Sequence, residues 1–356
     1  MKICVITLHC TDNCGSSLQA YALQKYLFNE GNETEIIDYC PQYLKYNGSL
    51  IKSMLRKILM WKTVSTQDRK NLEFRRKYLK LTREKYLSYK ELNDNPPQAD
   101  LFITGSDQVW NPDYLCGNDP AYYLNFVHDN TPKMSYAASL GKVNVPFDQK
   151  KVIINYVMDF SFISVREKSS QELLQKSLSC PVEYVCDPVL LLKKHDYIKM
   201  EMVPPIREKY ILIYLVQKNE LLDDLVQQLR QNLDAKVVLI YGFRNYCNCD
   251  YHIRDVSPTE FLGYINHAEY IVASSFHATV FSLIFEKQFS IVLPKANTAR
   301  IEQMLEVSGL KDRIINTKFE IVNAFKEIDY EMVKPKLNNF IENSQKTIQK
   351  MMEMTK

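Results

Sequence analysis

Two rhythms of apolar positions alternate along this chain. Short stretches with apolar centres stand at residues 3–8, 34–39, 100–104, 133–139 and 160–167, and each reads as a strand, the first of them buried. Between them apolar residues recur at three- and four-residue spacing. Leu18, Tyr21, Ala22, Leu23 and Leu27 share one face of a predicted helix that ends at Gly31-Asn32. A further helix is predicted around 147–157, and Asn93-Asp-Asn-Pro-Pro97 is a loop. The segment 181–192 closes this half, and the polar run from Lys193 to Pro204-Pro205 reads as a hinge.

After the hinge the alternation starts again. Strands are predicted at 210–216, 236–241, 270–273 and 288–293, with helices at 220–233, 258–267 and 298–307. Another helix, carrying Val280, Phe281, Leu283, Ile284 and Phe285, lies between the last two strands. Such alternation predicts the α/β class, with two Rossmann-like doubly wound domains facing a cleft. The boundaries read as 1–195, 206–329 and a C-terminal helical segment, 330–356, rich in lysine and methionine and folding back across the hinge.

Two segments carry charge on a helical pattern. Over 49–63, Ile51, Met54, Leu55, Ile58 and Leu59 share one face, Lys52, Arg56, Lys57 and Lys62 crowd the other, and Trp61 stands near the end. A helix of this kind either packs its apolar face on its own domain or lies on an anionic membrane surface through residues 50–62. Residues 68–80, with Arg75-Arg76-Lys77, read as a solvated helix.

Composition narrows the function. The chain has 356 residues, 46% of them apolar and 24% charged, enough for two domains with cores of their own. A net charge of +3, with no basic run interleaved with aromatics, argues against nucleic acid as a partner. The nine cysteines contain no C-x-x-C, and Cys247-Asn-Cys249 lacks histidines at zinc spacing although His252 is near, so reduced thiols are expected. The first apolar run is too short for a signal peptide and no run reaches spanning length, which predicts a cytoplasmic protein.

Candidate chemistry sits where strands end. Ligands of open parallel sheets gather at the carboxyl ends of the strands, beside helix N-termini. The loop His9-Cys-Thr-Asp-Asn-Cys-Gly15-Ser-Ser17 is too poor in glycine for a dinucleotide fingerprint. It reads either as a polar rim that includes Asn13, Gly15 and Ser16, or as a helix cap made by Asn13 or Ser16. In Gly105-Ser-Asp-Gln-Val-Trp-Asn111, Gly105 permits a tight turn. The polar groups there, Asp107 among them, either hold a polyhydroxylated ring beside the indole of Trp110, or cap a turn that Trp110 anchors. Arg166 either takes a phosphate or carboxylate in bidentate fashion or makes a surface ion pair with Glu167 or a neighbour. At residues 274–277, Ser274 and Ser275 either contact substrate or cap a helix. His277 either packs in its first turn or serves an anion or a proton transfer.

Taken together, residues 7–23, Gly105-Ser-Asp-Gln-Val-Trp-Asn111, Ser164-Val-Arg-Glu167, Cys186-Asp-Pro-Val-Leu190 and Ser274-Ser-Phe-His-Ala278 resemble the polysaccharide pyruvyl transferase family. The likeness runs in order from about residue 3 to about residue 315. It implies a fold similar to the glycosyltransferase B architecture. It also implies transfer of a pyruvyl group from phosphoenolpyruvate to two hydroxyls of a sugar, leaving a cyclic ketal. The acceptor would be a surface polysaccharide, such as a capsule or exopolysaccharide, or its lipid-linked precursor, and no metal or organic cofactor is expected.

On that resemblance Arg166 holds the donor's phosphate or carboxylate, and His277 contacts phosphate and acts as general acid. Asp107, Trp110 and Asn13 contact the acceptor. Many members carry Arg-Leu-His where this chain has Ser275-Phe276-His277. Either Arg244, Lys295 or Arg300 supplies the missing cation, or the donor is not phosphoenolpyruvate. The alternatives are a glycosyltransferase with a nucleotide-sugar donor and a noncatalytic sugar-binding relative. The sequence assigns no oligomeric state.

Overall fold

Seven parallel strands build one sheet and five build another. They belong to a computed structural model whose described residues are 1–45, 61–215, 217, 219–240, 247–295 and 298–355. By contacts the chain divides into two compact units. The first comprises Met1–Trp61, Asn71–Leu192 and Phe340–Lys356, and the second Lys62–Lys70 and Lys193–Asn339.

In the first unit the strands are β1 (Lys2–Ile6), β2 (Glu33–Tyr39), β3 (Leu81–Tyr86), β4 (Leu101–Thr104), β5 (Lys133–Ala138), β6 (Phe162–Val165) and β7 (Val182–Tyr184). They lie in the order β3-β2-β1-β4-β5-β6-β7, every neighbour parallel. The chain therefore winds outward one way from β1 and the other way from β4. The point of reversal lies between those two strands, which is where such sheets place their ligands. The second unit repeats the plan with β8 (Tyr210–Tyr214), β9 (Lys236–Ile240), β10 (Tyr251–Ile253), β11 (Tyr270–Ala273) and β12 (Gln288–Ile291). Their order is β10-β9-β8-β11-β12, again all parallel, with the reversal between β8 and β11. The α/β class and two doubly wound, Rossmann-like domains of the glycosyltransferase B kind follow.

Central strands are apolar because both faces are covered. Residues 3–6, 101–104, 162–165 and 210–213 are all buried. The core of the first unit includes an aromatic group in which the Trp110 ring stacks on Tyr123 at 5.7 Å and meets the edge of Phe160 at 5.9 Å. In the second unit Leu225 and Leu229 of the helix Leu222–Leu233 pack with Val237 and Leu239 of β9.

Several elements differ from the sequence reading. The strands β3, β7 and β10 were not expected. Leu81-Thr-Arg-Glu-Lys-Tyr86 exposes its three central residues because it is an edge strand, and charge on an edge blocks pairing with another chain. The helix Trp61–Tyr78 was expected to be solvated from residue 68 onward, yet Asn71 and Phe74 are buried. One continuous helix, Tyr330–Glu353, forms the end of the chain. The predicted basic amphipathic helix lies almost wholly outside the described residues. Among those described, no helix is long and apolar enough to cross a membrane.

Candidate active site

The first unit gathers its polar residues around Asp107. This residue takes φ of 80°, a left-handed conformation costly for a side chain bearing a Cβ, and it is buried. Local bonds hold it there: the Asp107 carbonyl accepts from Ser139 N at 3.0 Å, and Ser139 O accepts from Trp110 N at 3.2 Å. These bonds stitch the loop to the end of β5. The tight turn expected at Gly105 is thus made two residues later. Gly105 serves close approach instead, since a Cβ on it would stand 3.1 Å from both Thr7 Cβ and Val5 Cγ1 of the β1 side.

Ser16, in the first turn of the helix Cys14–Asn29, donates its hydroxyl to Asp107 Oδ2. The backbone N–H of Gln108 donates to Oδ1 at 2.8 Å. On the other side Arg166, just past β6, places Nη2 3.6 Å from Asp107 Oδ1 and Nη1 against Asp187 Oδ2. Ser106 Oγ bridges the pair, donating to Asp187 Oδ2 at 3.2 Å while accepting from Arg166 Nη1 at 3.3 Å. Burial works against the guanidinium charge, but Asp187, Asp107 and Glu167 outweigh it, so the Arg166 pKa lies above its ordinary value. Beside it Glu167 accepts from the hydroxyls of Ser139 and Ser170.

Here the structure decides between alternative readings of three residues. Arg166 was read as an anion holder or as half of a surface pair. Its side chain is only 2% exposed, and its charge is committed to two carboxylates, which makes it a positioning residue for Asp107. Trp110 was offered either as a platform for a sugar ring or as the anchor of a capped turn. Its indole is fully buried, stacked and bonded through Nε1 to Tyr122 O at 2.9 Å, so it anchors the loop from inside. Asn13 uses its side-chain oxygen to cap the first helix, accepting from Gly15 N at 2.8 Å and from Ser16 N at 3.4 Å. Asp187 was quoted within a motif without a role. The Asp-Pro pair was the available signal, because Asp187 caps the short turn Pro188–Leu190 and is thereby held toward Arg166.

In the second unit the polar residues stand at the carboxyl end of β11. Ser274 is buried, and its N–H donates to Tyr214 O at 3.1 Å. Ser275 caps the helix Phe276–Ile284, its hydroxyl accepting from Ala278 N at 3.5 Å. His277 follows in the first turn, nine-tenths buried, beside the positive end of the helix dipole. The Phe276 ring meets the imidazole edge-on at 5.4 Å and carries the Arg300 guanidinium at 5.7 Å from its centroid. Of the three candidate cations, the structure brings Arg300 to this helix end. Lys295 is exposed ahead of the helix Ala299–Ser308, and Arg244 lies outside the described residues.

All five motifs fall in or against this geometry, and a family model for polysaccharide pyruvyl transferases matches residues 13–294. The chain belongs to that family. It is therefore an enzyme of a transferase class in polysaccharide biosynthesis. No curated relative matches the chain.

Among solved structures this pyruvyl transferase is similar to UDP-N-acetylglucosamine 2-epimerase from Rickettsia bellii, at 12% identity and a TM-score of 0.52, over 100% of this chain and 97% of that one. A putative UDP-N-acetylglucosamine 2-epimerase from Listeria monocytogenes aligns at 10% identity and 0.55, over 96% and 90%. The Neisseria meningitidis epimerase bound to UDP-GlcNAc aligns at 11% and 0.53, over 97% and 93%. At these identities the likeness is one of fold. In the pyruvyl transferase chain, residues of four motifs, Ser16, Ser106 with Asp107, Arg166, and Asp187, meet in one hydrogen-bonded network.

Proposed function

We propose that this transferase moves a pyruvyl group from phosphoenolpyruvate to two hydroxyls of a sugar in a bacterial surface polysaccharide or its lipid-linked precursor, releasing phosphate and leaving a ketal. The observation that carries this reading is the Asp107 network: an aspartate held in a strained backbone conformation by residues drawn from four separate motifs. Such strain persists only where surrounding structure imposes it, and it clusters at functional sites.

In this reading the second unit holds the donor. Phosphoenolpyruvate is a small, multiply charged anion, suited to helix-end N–H groups and cations. The N-terminus of Phe276–Ile284, with Ser274 and Ser275 before it and Arg300 over Phe276, supplies both. Arg300 takes the part of the arginine that other members carry two residues before the histidine. His277 delivers a proton to the enol methylene, which becomes the methyl group and leaves C2 electron-poor. The first unit holds the acceptor, whose first hydroxyl adds to C2. The second hydroxyl then displaces phosphate from C2. One hydroxyl proton balances that given to the methylene, and the other leaves with phosphate. No step needs a metal or organic cofactor.

The test is direct. Incubated with phosphoenolpyruvate and a panel of sugar diols, the protein should release phosphate in an acceptor-dependent way, and the labelled three-carbon unit should appear in the sugar. Release of nucleotide from nucleotide-sugar donors, with phosphoenolpyruvate untouched, would replace this reading by a glycosyltransferase. We further place the enzyme in the cytoplasm at the inner membrane face, reached through residues 50–62. Flotation with anionic vesicles should recover it, and failure to float, with or without those residues, would remove that location.

A further inference from the structure

The geometry points to a second site in the first unit, a zinc site built by His9, Cys10, Asp38 and Cys40. His9 and Cys10 lie in the loop after β1. Asp38 is near the end of β2, and Cys40 follows that strand. The two strands are parallel neighbours, so their carboxyl ends bring the four residues together although the two pairs are about thirty positions apart. His9, Cys10 and Cys40 are all buried, and their ligand atoms lie within 4.8 Å of one another.

The separations approach those of a tetrahedral set. Metal bonds of about 2.3 Å to sulfur and about 2.0–2.2 Å to nitrogen or oxygen put neighbouring ligand atoms about 3.3–3.8 Å apart. Here His9 Nε2 stands 3.8 Å from Cys40 Sγ and 3.1 Å from Asp38 Oδ1, and Cys40 Sγ stands 3.2 Å from the same oxygen. Cys10 Sγ, 3.4 Å from Tyr39 O, lies within 4.8 Å of the His9 and Cys40 ligand atoms and would have to turn toward them to bind the ion.

The outer contacts fit as well. His9 Nδ1 faces the Thr7 carbonyl at 3.3 Å. To bind an ion, His9 keeps the Nδ1 proton for this carbonyl, while Nε2, 3.1 Å from Asp38 Oδ1, must release its proton and turn its lone pair to the metal. Two thiolates, an imidazole and one carboxylate favour a soft or borderline ion and select zinc over magnesium or calcium. The Asp38 side chain is 16% exposed, which leaves an approach from solvent. A bound ion would tie the loop after β1 to β2, and that loop runs directly into the helix whose Ser16 holds Asp107. The site is thus structural, and its existence does not depend on the donor or acceptor assigned above.

Cobalt titration of the full chain, stripped by chelator under reducing conditions, tests this site. One equivalent should give a thiolate-to-metal charge-transfer band, and zinc should displace it. Cys10→Ser and Cys40→Ser should abolish the band. Asp38→Asn should weaken binding about 10- to 100-fold, and Cys116→Ser, elsewhere in the core, should leave it unchanged. Should the variants fold poorly, alkylation of the unmodified chain gives the same answer: zinc should protect Cys10 and Cys40 while leaving labelling of Cys180 as it was. Absence of the band, equal labelling with and without zinc, or recovery of a Cys10–Cys40 disulfide from metal-replete protein would overturn the site.

Discussion

Asp187→Asn isolates the charge of the buried pair from its shape. The side chains of Arg166 and Asp187 are 2% and 0% exposed, so water cannot screen the guanidinium that the substitution leaves behind. Asparagine is nearly isosteric, and its oxygen can still accept from Val189 N, the capping contact now 3.1 Å long. Removing one partner of a buried pair costs about 3–5 kcal/mol. Asp107, with Oδ1 3.6 Å from Nη2, retains part of the compensation and puts the expected loss near the lower end, about 3 kcal/mol. For a domain of this size that corresponds to a fall of about 6–12 °C in the unfolding midpoint of the first unit. Thermal unfolding followed by near-ultraviolet circular dichroism reads it, because the aromatic core of that unit reports its packing.

A double-mutant cycle sharpens the test. Arg166→Met and Asp187→Leu should each be strongly destabilising, whereas the double variant replaces both charges by apolar side chains and should cost much less than their sum. A coupling of about 2–3 kcal/mol is expected. A midpoint shift below about 2 °C for Asp187→Asn, or a cycle additive within about 0.5 kcal/mol, would refute the view that Arg166 is an internally compensated positioning cation.

Three further outcomes follow from named contacts. His277→Gln should lower kcat by about 100- to 10,000-fold with little change in the KM for phosphoenolpyruvate; an unchanged kcat in a phosphate-release assay would remove it as general acid. Arg300→Ala should raise that KM about 10-fold or more while Arg300→Lys restores part of the loss, as expected of a charged hydrogen-bonding contact. Equal KM values for both variants and the parent would shift the missing cation elsewhere. Gly105→Ala drives a Cβ to 3.1 Å from two buried side chains, Thr7 and Val5, and should cost about 1–3 kcal/mol in denaturant unfolding. Stability equal to the parent would show that β1 and β4 can part there.

The plan of the fold could be read from the chain because parallel strands covered on both faces leave unbroken apolar runs such as Ile3-Cys-Val-Ile6 and Tyr270-Ile-Val-Ala273. Helices leave a different period, and the polar loops between them mark the carboxyl ends where ligands gather. Strands with little apolar content escaped. β3 and β10 are edge strands, recruited by the backbone bonding of the neighbour they lie against, β2 and β9. The polar centre of β3 and the three-residue length of β10 leave too little pattern to specify them.

By itself, then, the sequence determined the class, the two repeats of the doubly wound plan, the family and the motifs that matter, because each is written in local period or local spelling. Only the tertiary structure decided what those residues do. Burial turned Trp110 into an anchor and Arg166 into a partner of two carboxylates. It also moved the strained position from Gly105 to Asp107. Sheet order set His9 and Cys10 beside Asp38 and Cys40, which nothing in their spacing along the chain announces. Charge, burial and ligand separation are properties of neighbours in space, and those neighbours exist only once the parallel strands have paired.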